Sequence, residues 1–227
     1  MYKILRLKVK LLNIIDSFKS NYAKVFLLIL TAPLYIKYNS KRNYIIFAII
    51  LSLIATPFII IKTKGLSVKN NIIDYSPIYA TGIDRAKTCK IVVHHDADAQ
   101  DSVKLMDIYE LHKHIRGWSC GIAYHYIVLN NNVYKIHYDE DVAAHAYGAN
   151  YNSISICMHG DFSKQYPPEE LYNKVAFLSV ILMRKYNLKP EDVIGHREVA
   201  GNKTECPGNN FDMDKLRLKI KMINLFM

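Results

Sequence analysis

Two stretches far apart in the chain carry metal-type donors that only a particular fold can bring together. Residues 195–208 read Gly-His-Arg-Glu-Val-Ala-Gly-Asn-Lys-Thr-Glu-Cys-Pro-Gly and set His196 and Cys206 on either side of a short polar loop. Far upstream, residues 90–95, Lys-Ile-Val-Val-His-His, read as a buried strand that ends on histidines. His94, His196 and Cys206 together offer two nitrogens and one sulfur. A tetrahedral zinc ion held by three such donors keeps a fourth position for water, which separates catalytic zinc sites from closed structural ones. The donor set therefore predicts a zinc hydrolase and a fold in which a central strand meets a distant loop. Neither the helical HExxH spacing nor a CxxC pair occurs, so no generic metal motif adds to this reading.

Charge narrows the partners. The chain of 227 residues has a formal net charge of +10, but residues 1–70 hold 12 Lys/Arg against Asp16 alone, while residues 71–227 hold 18 against 19 acids. The basic character belongs to the N-terminal arm, and a nearly neutral C-terminal domain is a poor tracker of phosphates, so no nucleic-acid partner is expected. The four cysteines, Cys89, Cys120, Cys157 and Cys206, are too few for a disulfide scaffold in a chain long enough to bury a core.

Residues 1–43 form a basic arm with a short apolar, interfacial segment at Val25–Ile36, interrupted by Pro33. Residues 44–61 contain no charge and as a helix would be about 27 Å long, enough for a hydrocarbon core. Lys41 and Arg42 precede them, Lys62 and Lys64 follow, and no cleavage site is seen, so an uncleaved transmembrane anchor is expected. Lys19, Lys24, Lys37, Lys41 and Arg42 outweigh Lys62, Lys64 and Lys69, which keeps the N-terminus cytoplasmic and the C-terminal domain outside, periplasmic or facing the cell wall. A second crossing by Val25–Ile36 would reverse the domain's side.

Residues 62–87 read as a polar linker, and residues 88–224 as one α/β domain: a single mixed β-sheet flanked by helices. Helices are predicted over 101–116, capped by Asp101, over 168–187 and over 212–223. Strands are predicted at 90–94, 153–159 and 193–196, with a hairpin of 124–129 and 133–138 around Asn130-Asn131-Asn132. His95 should face away from His94 and His125 away from Tyr124, both in structural roles. His112, His114 and His137 read as surface residues, and Trp118 as a packing residue.

Four blocks, 90–95, Gly-Ile-Ala-Tyr-His-Tyr-Ile-Val at 121–128, His-Ala-Tyr-Gly-Ala-Asn-Tyr-Asn-Ser-Ile-Ser-Ile at 145–156 and Gly-His-Arg-Glu-Val with Thr-Glu-Cys-Pro-Gly at 195–208, occur in the order found in type-2 N-acetylmuramoyl-L-alanine amidases. Residues 88–222 resemble that superfamily, which includes phage amidase-lysozymes and peptidoglycan recognition proteins. The resemblance implies Zn2+ on His94, His196 and Cys206, with Tyr124 assisting at the water. It sets Thr204 where phage and recycling members carry a lysine that polarises the scissile carbonyl and where several catalytic recognition proteins resemble this chain in having threonine, with Lys203 adjacent. It implies a substrate groove lined by His145, with Asn150, Asn152 and Ser153 in the following turn and strand. The implied reaction is hydrolysis of the amide between the lactyl group of N-acetylmuramic acid and L-alanine in peptidoglycan or muropeptides. A binding-only recognition module and a cytoplasmic muropeptide-recycling enzyme are the alternatives; retention of all three ligand positions favours the enzyme.

Overall fold

The structure, a computed structural model, describes residues 41–100 and 102–227. The arm 1–40, with its apolar segment Val25–Ile36, and the cap expected at Asp101 lie outside the described residues. Chain packing divides the molecule between Ile59 and Ile60.

Helix α1 runs through Lys41–Asn70 with Pro57 inside it. The charge-free segment 44–61 is therefore helical, with exposed Ile49 and Leu53. Among the described residues, however, no helix is long and apolar enough to cross a membrane, so the expected anchor remains an expectation from sequence. The stretch read as a linker is more structured than its polarity implies. The last turns of α1 pack on the domain core through Ile61 and Val68, β1 (Ile72–Asp74) joins the sheet, and α2 spans Ser76–Tyr79.

The sheet is single and mixed, as expected. β2 (Lys90–His95), β3 (Tyr126–Leu129), β4 (Asn132–Lys135), β5 (Ser153–Met158) and β6 (Val193–Gly195) join β1 in the order β1-β4-β3-β5-β2-β6. Among these described strand pairs, β3–β4 alone is antiparallel. Its turn is Asn130-Asn131, with φ of 48° and 65°, the left-handed pair that a two-residue hairpin needs and asparagine tolerates.

Alternation along the strands assigns the two faces. Ile91, Val93, Tyr126, Val128, Ile154, Ile156 and Met158 enter the main core beneath α4 (Glu169–Tyr186) and α5 (Met213–Phe226). Leu178 and Ile220 are fully buried there, each contributing roughly 1.5–3 kcal/mol relative to exposure. α4 stops where Asn187 adopts the left-handed cap, and α5 starts where the Asp212 carboxylate accepts the Lys215 amide at 2.9 Å. The opposite face carries Val92, His94, Ser153, Ser155 and Cys157, mostly small or polar, which leaves room for side chains from loops. α3 (Leu105–Glu110) starts later than its apolar spacing predicts and continues as a wide π-type turn, Leu111–Ile115.

Of the three histidines read as surface residues, His114 is exposed, but His112 and His137 are buried. The His112 Nδ1 accepts the Ala123 amide at 3.3 Å, and His137 lies 2.6 Å from the carbonyls of both Tyr79 and Ile122. Local sequence polarity pointed outward, but loops fold over both rings. His125 does take the structural role expected, its Nδ1 2.9 Å from the Ser155 hydroxyl. Ahead of β2 the Arg85 guanidinium is buried, donating to the carbonyls of Asp139 and Asp141 and to the Thr88 hydroxyl and meeting His125 Nε2 at 2.9 Å.

Burial lowers His125 from 6.5 to about 3, so the folded domain refuses a proton that the unfolded chain accepts. Stability should therefore fall as pH drops below the unfolded value, by up to ~1.4 kcal/mol per pH unit from this residue. Thermal unfolding with chelator present should show a declining Tm between about pH 7 and about pH 4, with a shallower decline in His125→Asn. Equal slopes in the two proteins would refute this.

Candidate functional site

Strand register builds the site. β2 is parallel to β5 and to β6, with His94 opposite Cys157 and Val93 opposite Gly195. The residue after Gly195 therefore emerges beside His94, at the C-terminal ends of adjacent parallel strands, where open α/β sheets place their ligands. His196 opens the short 3-10 turn His196–Glu198. The chain then loops out through Lys203 and returns to Cys206. Arg197 fixes that return: its amide donates to the Cys206 carbonyl at 2.8 Å, and its guanidinium donates to Gly208 at 2.8 Å and Phe211 at 2.9 Å. Gly208 has φ +98°, and a Cβ there would sit 2.3 Å from the Phe162 carbonyl carbon, so the loop closes only with glycine at this point.

The result is a cluster in which donor atoms of His94, His196 and Cys206 all lie within 4.8 Å of one another. Cys206 Sγ is 3.7 Å from His94 Nδ1, and the two imidazole centroids are 4.6 Å apart. Two nitrogens and a sulfur on tetrahedral zinc would be separated by about 3.3–3.7 Å, so the set fits that ion in spacing and in donor type. Burial, reinforced by the neighbouring His196, holds His94 well below the ordinary imidazole range and leaves a nitrogen lone pair available. Burial pushes the Cys206 thiol up to about 11, so ion binding must displace its proton.

Around this cluster the residues read from sequence take distinct places. Tyr124 is buried, with its ring centroid 5.2 Å from that of His94. Burial, then the Cys157 and Cys206 thiols, drive its hydroxyl well above the usual phenol range, so it stays a proton-bearing donor. Thr204 Oγ1 accepts the Cys206 amide at 3.1 Å, which ties it to the loop that carries the sulfur. Lys203 is exposed on the same loop.

His145 is 7% exposed, with Nδ1 3.1 Å from His94 Nε2. The Asn150 carboxamide oxygen accepts the amides of His145 at 3.0 Å and Ala146 at 2.8 Å, stapling the loop in front of β5. That residue also reaches a cavity of about 450 Å³ lined by Tyr79, Tyr109, Lys113 and Cys120, which includes none of the three clustered donors. His95 turns away from the cluster, its Nδ1 accepting the Phe162 amide at 3.1 Å. All four cysteines are free.

Sequence reasoning passed over Asn202. Its carboxamide oxygen is 3.1 Å from His196 Nε2, and its nitrogen donates to the Tyr147 carbonyl at 2.9 Å. This arrangement leaves Nδ1 of His196 for an ion. An asparagine inside a polar loop reads as a turn former, and only the strand register reveals what it faces.

The three-donor N,N,S cluster at the carboxyl ends of parallel strands, with a phenol beside it, is a group that could hold one metal ion. The family profile of N-acetylmuramoyl-L-alanine amidases matches residues 84–209, and the chain belongs to that family. It is 30% identical over 139 residues to the endolysin of Enterobacteria phage T3, covering 58% of this chain and 86% of that one; the endolysin of Escherichia phage T7 matches to the same extent. Among solved structures, the endolysin amidase LysCS from Clostridium intestinale URNW is 32% identical with a TM-score of 0.56, covering 66% of this chain and 95% of that one. The Ph2119 endolysin from a Thermus scotoductus bacteriophage is 26% identical with a TM-score of 0.55, covering 66% and 98%.

The Asn150 staple has a measurable consequence. Asn150→Ala leaves the His145 and Ala146 amides without their acceptor, at a cost of about 1–3 kcal/mol for each group that stays buried. Thermal unfolding should show a clear fall in Tm. An unchanged Tm with a raised KM would assign Asn150 to substrate contact instead.

Proposed function

We propose that this protein hydrolyses the amide between the lactyl group of N-acetylmuramic acid and L-alanine in peptidoglycan, using zinc held by His94, His196 and Cys206. The observation that carries the proposal is the convergence of those donors in a family of amidases. The two phage relatives covered over 86% of their length are endolysins, which supports a cell-wall substrate. When bound, zinc supplies Lewis acidity and brings the pKa of water towards neutrality.

The protein's own groups would do the rest. Tyr124 keeps its proton and can donate a hydrogen bond to the carbonyl oxygen as negative charge develops there. Thr204 uses its oxygen to accept the Cys206 amide, and its own O–H remains to donate towards the same oxyanion. Lys203, exposed at the rim, offers a cation to an acidic substrate group without a desolvation cost. Buried neutral histidines keep the cluster free of competing positive charge that would repel a divalent ion.

For location, the reading is a catalytic domain outside the cytoplasm, tethered through residues 44–61. It is supported by the charge-free composition of that segment and its basic flanks. A periplasmic reporter fused after Met227 should be active and a cytoplasmic one silent; the reverse would reject this topology.

The activity itself is tested with the full-length chain and purified peptidoglycan. Free stem peptides with N-terminal alanine should be released, and the release should stop with a zinc chelator. Cys206→Ser should lower the rate by at least about a hundredfold, since it removes one of only three protein ligands. Intact sugar–peptide amides under zinc-replete conditions would mean a binding module rather than an enzyme.

A further inference from the structure

A histidine that gives one ring nitrogen to a metal ion must carry its proton on the other, and whatever accepts that proton fixes the ring. His94 presents Nδ1 towards Cys206 Sγ at 3.7 Å, so its proton belongs on Nε2. That nitrogen is 3.1 Å from His145 Nδ1, which must then be the acceptor. The proton of His145 is thereby assigned to Nε2, 3.2 Å from Ser153 Oγ. Ser153 in turn donates to the Ala149 carbonyl at 2.6 Å, a group that can only accept. The chain of donors runs one way, from His94 to a backbone oxygen, with every member neutral and satisfied.

We propose that His145 is a positioning residue: through Ser153 and Ala149 it holds the proton of His94 on Nε2, keeping Nδ1 turned to the ion. Substrate contact by this side chain would need a free ring nitrogen, and both are engaged within the protein. The supporting frame is stiff. Asn150 grips the His145 and Ala146 amides, and Ser153 begins β5, paired in register with Lys90 of the strand that carries His94. The same loop supplies the Tyr147 carbonyl that anchors Asn202 behind His196, so one segment backs both imidazoles.

This inference rests on the zinc reading above, and the measurement separates the two. Zinc affinity of the full-length chain is determined by competition with a chromophoric chelator, alongside the absorption spectrum of the cobalt(II)-substituted protein. His145→Ala should weaken zinc binding roughly 10–100-fold and alter the cobalt spectrum. His145→Gln should recover most of that loss, because its amide oxygen can accept from His94 and its nitrogen can donate to Ser153. Ser153→Ala should weaken binding severalfold, which keeps the test decisive if His145→Ala does not fold. Wild-type zinc affinity and an unchanged cobalt spectrum in His145→Ala, with only KM raised, would overturn the proposal and leave the zinc reading intact; wild-type affinity in Ser153→Ala would equally overturn it. A wild-type chain that takes up no zinc would overturn both.

Discussion

The parallel pairing of β2 with β6, Val93 against Gly195, is the constraint on which the site depends. It places two imidazoles separated by a hundred residues of chain side by side at the end of the sheet. A shift of one residue in that register would turn His196 to the other face and leave His94 with the thiol alone. Packing protects the register from both sides. A Cβ on Gly195 would approach Pro207 Cδ to 3.0 Å, and the Glu198 carboxylate accepts the Gly195 amide at 2.6 Å while pairing with Arg217 at 3.1 Å. The strand that delivers His196 is thus locked to the loop that delivers Cys206 and to the helix α5 that covers the core.

Division of labour between the two faces follows from one strand sequence. In Ser-Ile-Ser-Ile-Cys-Met, the isoleucines and methionine fill the core beneath α4 and α5, while Ser153 and Ser155 point to the site face and leave space. His145 and His125 occupy that space, each meeting one serine hydroxyl. Larger residues at those two positions would expel the imidazoles. The site is polar and buried because β5 alternates, and stable because the same alternation feeds the apolar core.

Much of this was legible beforehand. The sheet, the two long helices, the Asn-Asn turn and the convergence of residues 94, 196 and 206 follow from local periodicity and from donor chemistry. The losses share a physical cause. His112 and His137 carry polar neighbours in sequence, and their burial depends on loops that close over them from elsewhere. The contact of His145 with His94 spans 51 positions, and no local pattern reports it. Residues 62–87 were read as a linker from composition, yet three of them complete a sheet edge whose partner β4 supplies the hydrogen bonds. Hydrophobic pattern reports which face a residue takes within its own element, and it carries no information about what a distant loop lays on top.

The buried Arg85 clasp has a mechanical side. It sits between the N-terminal elements and β2, and its guanidinium grips the carbonyls of Asp139 and Asp141 on a separate part of the domain. Arg85 thereby ties the segment that leads into β2 to the stretch after β4 through backbone carbonyls, so the tie does not depend on the side chains at positions 139 and 141.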